Sequence, residues 1–431
     1  MSVITNYFLH KQRVKILLLC LIVVAMPFKI NFGNIALILA LVFNLCFFDK
    51  ANLYKLKSLS LLFPICFFLI SAASGLLSKD YVKGLAQLDR QLLLWVLVII
   101  LSNADLRKQN VNRVLSTFFI ATVVGTLVLL CHAIFIAFNG ATLEELTFHS
   151  FTSLYDQHPV YYSLYLSLSM FYGLNKIYCV SRRESISIAT SIVILALGLL
   201  FCASKAVLFI DSIFFLGMFF YQLKRSKRRI FYVFALLIVT SGVFTIPVIK
   251  NRFLDGLTFD SNIASFEPTN NFHQKKRFTY DEKMGISDLE LRYIFLRIAI
   301  YHLVQDNKLF VGYGQGDVQD YLDYYYFSYN LGPNWYEGFN VHNQFVHILI
   351  NYGFFVLLFF LWYLICSFKH AINHRDKMHL FFLIAACFVF IFEVPLLRNK
   401  GIIFFYFFNT FFLLNHRNIE NSDSGNERYT K

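Results

Sequence analysis

The sequence predicts an all-α membrane protein of about twelve transmembrane helices. One long external loop, carrying an amphipathic helix, separates helices nine and ten. Three observations carry that reading. Charged residues make up 15% of the 431-residue chain and hydrophobic residues 57%, whereas ordinary soluble domains are about 25% charged. Apolar runs long enough for a bilayer core of roughly 30 Å recur from end to end. These runs are continuous rather than alternating, which excludes a β-barrel.

In chain order the expected spans are 14–31, 32–48, 58–77, 86–102, 114–138, 159–178, 186–203, 206–221, 230–248, 341–368, 380–395 and 401–415. Lys11, Arg13 and Lys15 precede the first run, as the basic residues of a signal peptide do. No small-residue cleavage site follows and Pro27-Phe28 leads straight into the second run, so an uncleaved first helix is expected. With both termini cytoplasmic, more than half of the 39 Lys and Arg fall in cytoplasmic segments, most densely in KRSKRR at 224–229. That bias sets the orientation. The net charge of +13 is therefore topological, and no nucleic-acid partner is indicated. The chain divides into 1–248 (helices one to nine), 249–340 (the external loop), 341–415 (helices ten to twelve) and 416–431 (a cytoplasmic tail). The cysteines lie within or beside apolar runs without zinc spacing, so neither disulfides nor a metal are expected.

Within the loop, SDLELRYIFLRIAIYHLV (287–304) opens with a capping box from Ser287 to Glu290. It continues as a helix apolar around most of its circumference, with Arg292, Arg297 and His302 as the exceptions. Such a helix belongs on the membrane domain or in the interface, as does the aromatic run LDYYYFSY (322–329). VGYGQGD (311–317) has glycines spaced like a phosphate loop but lacks the Gly-Lys-Ser/Thr ending, so tight turns are expected there. A second external segment, 139–158, has Glu144, Glu145 and Asp156 and neither Lys nor Arg.

His342 stands where the loop meets span ten and faces the external water layer. A neutral imidazole there takes a proton from a sugar or water hydroxyl near pH 7, and the alternative is an interfacial or capping histidine. Asn343 either orients it or contacts a substrate hydroxyl. His347 lies about 140° further round a helix, too far to share a metal with His342, and is expected to be buried and hydrogen-bonded. Lys205, Arg292 and Arg398 are cations on the external side, where the charge bias disfavours them. Either they form local ion pairs, Lys205 with Asp211 and Arg398 with Glu393, or they grip a lipid-linked phosphate. In DQHPVYYSLYL (156–166), Asp156 and His158 precede Pro159, which suits a first helical turn. His158 there is a cap or a substrate contact.

These pieces together resemble the O-antigen ligase / O-antigen polymerase superfamily. The likeness rests on about twelve spans and a long loop after the ninth. It rests also on LRYIFLRIAIYH, VGYGQG, VHNQFVHILINYG, DQHPVYYSLY and FEVPLLRNKGIIFFYFF, and it covers roughly 110–412. The resemblance implies a multi-pass glycosyltransferase of the bacterial inner membrane with its active site on the periplasmic side. Its donor is a glycan on undecaprenyl diphosphate, its acceptor lipid A-core or another glycan, its surroundings membrane lipids, and it needs no metal or cofactor. His342 becomes the base, and Arg292, Lys205 and Arg398 become diphosphate ligands, with Asn343 and His158 as substrate contacts. Many ligases carry arginine where this chain has Lys205, which keeps the charge but loses the bidentate fork.

Ligase, polymerase and protein O-oligosaccharyltransferase share these requirements, and a ligase with inversion at the sugar is the reading taken forward. The rival from another class is a lipid-linked glycan transporter. Against it, no internal repeat is visible, and Asp211 is nearly the only ionisable residue well inside a span.

Overall fold

The computed structural model describes residues 2–52, 55, 58–177, 179–221, 242, 245, 247–256, 258–260 and 266–426. The ninth expected span lies almost wholly outside the described residues, and KRSKRR lies entirely outside them. The described residues form helices and connecting turns, with no strand among them. The helices are α1 Ser2–Ala25, α2 Ile30–Cys46, α3 Leu59–Leu77, α4 Tyr81–Ala86, α5 Leu88–Ser102, α6 Lys108–Phe138, α7 Pro159–Lys176, α8 Arg182–Cys202 and α9 Lys205–Tyr221. After α10 Pro247–Asp255 come α11 Tyr280–Gly285, α12 Asp288–Gln305, α13 Val318–Ser328, α14 Gln344–Tyr352, α15 Phe354–Asn373, α16 Lys377–Phe392 and α17 Asn399–Asn426.

Helices over Tyr81–Ser102, Lys108–Phe138, Arg182–Cys202 and Phe354–Asn373 are long and apolar enough to cross a membrane, and shorter apolar helices run over Ile30–Cys46, Leu61–Leu77 and Lys377–Phe392. Two helices form the centre. α7 is buried at every position from Pro159 to Leu174, and α17 is buried throughout 401–414. A helix enclosed on all sides is apolar all round, which is why neither shows a polar stripe in sequence. Aromatic rings fill the space between the elements. Phe171 stacks on Phe381 at 4.3 Å and Tyr165 lies 4.9 Å from Phe404, contacts that add to the stabilisation from burial alone.

The stretch after α10 folds around an apolar core of its own, which includes Phe278, Phe295, Leu303, Tyr326 and Tyr329. α12 starts with the capping box expected from sequence, with Ser287 and Glu290 each accepting the other's backbone N–H. Its polar residues, however, do not form the wet face of an amphipathic helix. His302 is buried, stacked on Tyr325 at 3.7 Å and hydrogen-bonded to the Tyr329 hydroxyl at 2.9 Å. The Arg297 guanidinium lies over the Phe266 and Tyr293 rings. Aromatic partners make these side chains part of the packing, while Tyr293, Ile300 and Val304 on the same helix are exposed.

The expected tenth span, 341–368, is two helices. α14 ends at Tyr352, α15 begins at Phe354, and Gly353 between them has φ +86°. The break admits the glycine-rich segment that follows α12. The N–H groups of Tyr313 and Gly314 donate to the Ile350 and Asn351 carbonyls at 2.7 and 3.1 Å, and Phe354 N–H donates to the Leu309 carbonyl at 2.9 Å. Gln315 and Gly316 donate to the hydroxyls of Ser74 and Ser78. VGYGQG thus spends its amides on neighbouring helices instead of cradling a phosphate, and its glycines permit that backbone approach.

A Cβ at position 353 runs into the Phe310 carbonyl oxygen, in a backbone region that side chains rarely adopt. Gly353→Ala should therefore destabilise the protein by about 2 kcal/mol or more, read as a lowered midpoint in thermal unfolding of the detergent-solubilised protein.

Candidate functional site

Six segments converge on a cavity of about 330 Å³. They are Phe148 from the segment before α7, the first turn of α7, the turn between α8 and α9 with the start of α9, helix α10, the first turns of α12, and the end of α16. Its wall is largely apolar, with Phe148, Phe209, Phe253, Phe388 and Phe392 among its residues, and it carries Lys205, Arg252, Arg292, Asp288 and Glu393.

The tight turn at Ala203, which has φ +45°, delivers Lys205 to this wall. Its ammonium pairs with Asp288 at 2.6 Å, not with Asp211. Asp211 is buried and accepts a hydrogen bond from Ser167 at 2.5 Å. Arg292, one turn further along α12 from Asp288, has each of its three guanidinium nitrogens donating one hydrogen bond. Nε donates to the Phe392 carbonyl at 3.0 Å, one terminal nitrogen to the Asp288 carbonyl at 2.9 Å, and the other to Glu393 at 3.1 Å. Glu393 therefore serves Arg292 rather than Arg398. Its second oxygen faces Nδ1 of His342 at 3.4 Å. Burial pushes the Glu393 carboxyl up, but the hydrogen bond to His342 and the charges of His342, Arg292 and His158 outweigh it and hold the group below its ordinary value.

His342 has φ +47°. Its N–H donates to the Asn340 side chain at 2.8 Å, and its ring is flanked by Phe295 and Phe339. With Nδ1 turned to a carboxylate, Nε2 is the nitrogen left to accept a proton. Asn343 caps α14, accepting from Val346 N–H at 3.0 Å and donating to the Ile391 carbonyl at 3.0 Å. Both arms of its amide are used in fixing the chain beside His342. His158 caps α7 through Val160 N–H at 3.4 Å, and burial pushes its imidazole down to about 4, so it is neutral at physiological pH. His347 is buried with Nδ1 unpartnered, not hydrogen-bonded as expected. Arg398 is exposed and outside the cavity lining, within electrostatic reach of His149, His158 and Tyr161.

The structure thus brings Lys205, Arg292 and His342 together, leaves Asn343 and His158 as caps beside them, and sets Arg398 apart. It adds Glu393, Asp288, Arg252 and Phe148. Arg252 was detectable by the reasoning that flagged Lys205, since it too is a cation at the external end of a span. Phe148 had no such signal, as one more aromatic in a chain with 51 phenylalanines. Among the described residues no group of His, Cys, Asp and Glu is arranged to hold a metal ion. Cations in an apolar slot, beside a carboxylate-oriented imidazole, suit an amphiphile with an anionic head and a proton transfer next to it.

Because the folded Glu393 carboxyl sits below its unfolded value near roughly 4.3, its contribution to stability is complete above that value and is lost as pH falls through the folded one. Glu393→Gln should cost roughly 1–3 kcal/mol at about pH 5. The gap in thermal midpoint from wild type should close on acidification below that range.

No curated protein matches the chain. The family model described as O-antigen ligase matches residues 190–361, a stretch that includes Lys205, Arg252, Arg292 and His342 and stops short of Glu393. That match supports a likeness to the O-antigen ligase superfamily over a stretch that contributes residues to the cavity.

Proposed function

We propose that the chain is an O-antigen ligase-type glycosyltransferase that moves a glycan from undecaprenyl diphosphate to a hydroxyl of lipid A-core. On this reading it resides in a bacterial inner membrane, with the site facing the periplasm and both termini in the cytoplasm. The observation that carries the proposal is the meeting, through Glu393, of a cation-bearing apolar cavity and the His342 imidazole. The family match, which includes Lys205, Arg252, Arg292 and His342, supports it.

The donor's diphosphate lies against Lys205 and Arg292, with the first isoprene units along the phenylalanine wall. The acceptor hydroxyl enters on the His342 side. Its oxygen bonds to the anomeric carbon while the bond from that carbon to the phosphate oxygen breaks, and the electron pair leaves with the diphosphate. The hydroxyl proton passes to Nε2 of His342, and Glu393 stabilises the imidazolium that results. Attack opposite the leaving group inverts the anomeric centre. The diphosphate is already a good leaving group, and fixed cations stabilise its growing charge, so neither an acid on the donor side nor a cofactor is required.

His342→Ala and His342→Gln should lower transfer by about 10²–10⁴-fold while leaving expression and donor binding intact. The test is the lipopolysaccharide banding of a deletion strain complemented with wild type or variant. A lost ladder with polymer accumulating on the lipid carrier supports the ligase. A core bearing a single repeat unit identifies a polymerase instead, and an unchanged pattern removes lipid A-core as the acceptor.

A further inference from the structure

We infer that Arg252, whose guanidinium sits over the Phe148 ring in the cavity wall, is the cation that first receives the donor's diphosphate. The inference rests on the glycosyltransferase reading and adds a residue and an order of events to it. Three cations and two carboxylates line the cavity. Lys205 is taken by Asp288, and Arg292 is taken by Glu393 and two backbone carbonyls. Arg252 forms no ion pair among the described residues. Its nearest charges are Asp288 and Arg292, and its Nε is buried without a hydrogen-bond partner. A buried donor left unpartnered in a native site calls for an explanation, and an anion in the cavity supplies one.

The geometry favours that anion. The Arg252 guanidinium carbon stands 3.5 Å from the centre of the Phe148 ring. The ring holds the cation without using a hydrogen-bond donor, and the guanidinium N–H groups are the donors that bind phosphate oxygens in pairs. Phe148 is itself held in an unusual backbone state, with φ +57° and ψ −122°, and its N–H donates to the Phe201 carbonyl at 2.8 Å. Strain of this kind in a residue other than glycine persists where the surroundings enforce it, and it clusters at ligand sites. Here it sets the platform for one arginine. Lys205 and Arg292 must exchange carboxylate or carbonyl partners for phosphate, whereas Arg252 has nothing to give up. The diphosphate therefore engages Arg252 first, and the other two follow.

The test is titration of the purified protein in lipid nanodiscs with undecaprenyl diphosphate, together with transfer kinetics, at a temperature where every variant is folded. Arg252→Gln should weaken binding roughly 10- to 100-fold and raise the donor KM by a similar factor, with a smaller change in kcat. Arg252→Lys should recover part of the affinity, because it keeps the charge and loses the fork. Phe148→Leu, which keeps the charge and removes the platform, should also fall between wild type and Arg252→Gln. Wild-type affinity in Arg252→Gln, with a loss in Arg292→Gln, overturns the inference and leaves the enzymatic reading standing. A lowered thermal midpoint without a change in affinity overturns it as well, by making Arg252 a packing residue. Failure of the wild-type protein to bind undecaprenyl diphosphate overturns the reading itself.

Discussion

The Glu393 carboxylate is the constraint on which the site depends. One oxygen holds Arg292 from α12 and the other faces His342, which precedes α14, while Glu393 itself follows α16. Three segments that are far apart in the chain are thereby fixed to one side chain. Burial disfavours a charged carboxylate, and here two basic partners and the nearby His158 outweigh that cost. Breaking such a tie leaves a charge without its partner in a poorly solvated place, which costs more than the pair itself is worth. The knot therefore holds its register: where Glu393 goes, the cation and the imidazole follow.

The helices set the knot in place through a break. A continuous tenth span would carry the chain past the external segment with its backbone bonds closed to others. The turn at Gly353 instead frees carbonyls at the end of α14, and the chain after α12 spends its N–H groups on them. Unsatisfied backbone groups at membrane depth are costly, and irregular backbone is tolerated only where protein covers it. The 309–316 segment is that cover. The same contact fixes α14 and α12 relative to each other, and so fixes the distance between His342 and Arg292.

Much of this was legible in the sequence. Continuous apolar runs marked most of the helices, and the capping box at Ser287 and Glu290 placed the start of α12. His342, Arg292 and Lys205 stood out as polar residues where topology disfavours them, and the likeness to a known family gave the expectation that they act together. The partners were hidden because pairing is set by folding, not by proximity in the chain. Asp211 is six residues from Lys205 and points into the bundle toward Ser167, whereas the true partner, Asp288, is 83 residues away. Glu393 was visible only as a neighbour of Arg398. The break at Gly353 was masked because hydropathy sums across a glycine without registering its dihedral angle.

The resting charges also explain why the cavity keeps acids beside its cations. An apolar slot holding three bare cations would repel itself and resist burial. Asp288 and Glu393 act as internal counterions that hold Lys205 and Arg292 in ordered positions while no substrate is present. A phosphate oxygen offers each cation what its carboxylate already offers, so exchanging one for the other changes the electrostatic energy little. On the proposed reading, net attraction for a diphosphate arises from the positive charge left uncancelled among three cations and two carboxylates, a charge we assign to Arg252. On the same reading, a diphosphate that shares Arg292 with Glu393 leaves more of the carboxylate's charge to His342. That charge favours the protonated imidazole of the proposed transfer, and one side chain then links binding to chemistry.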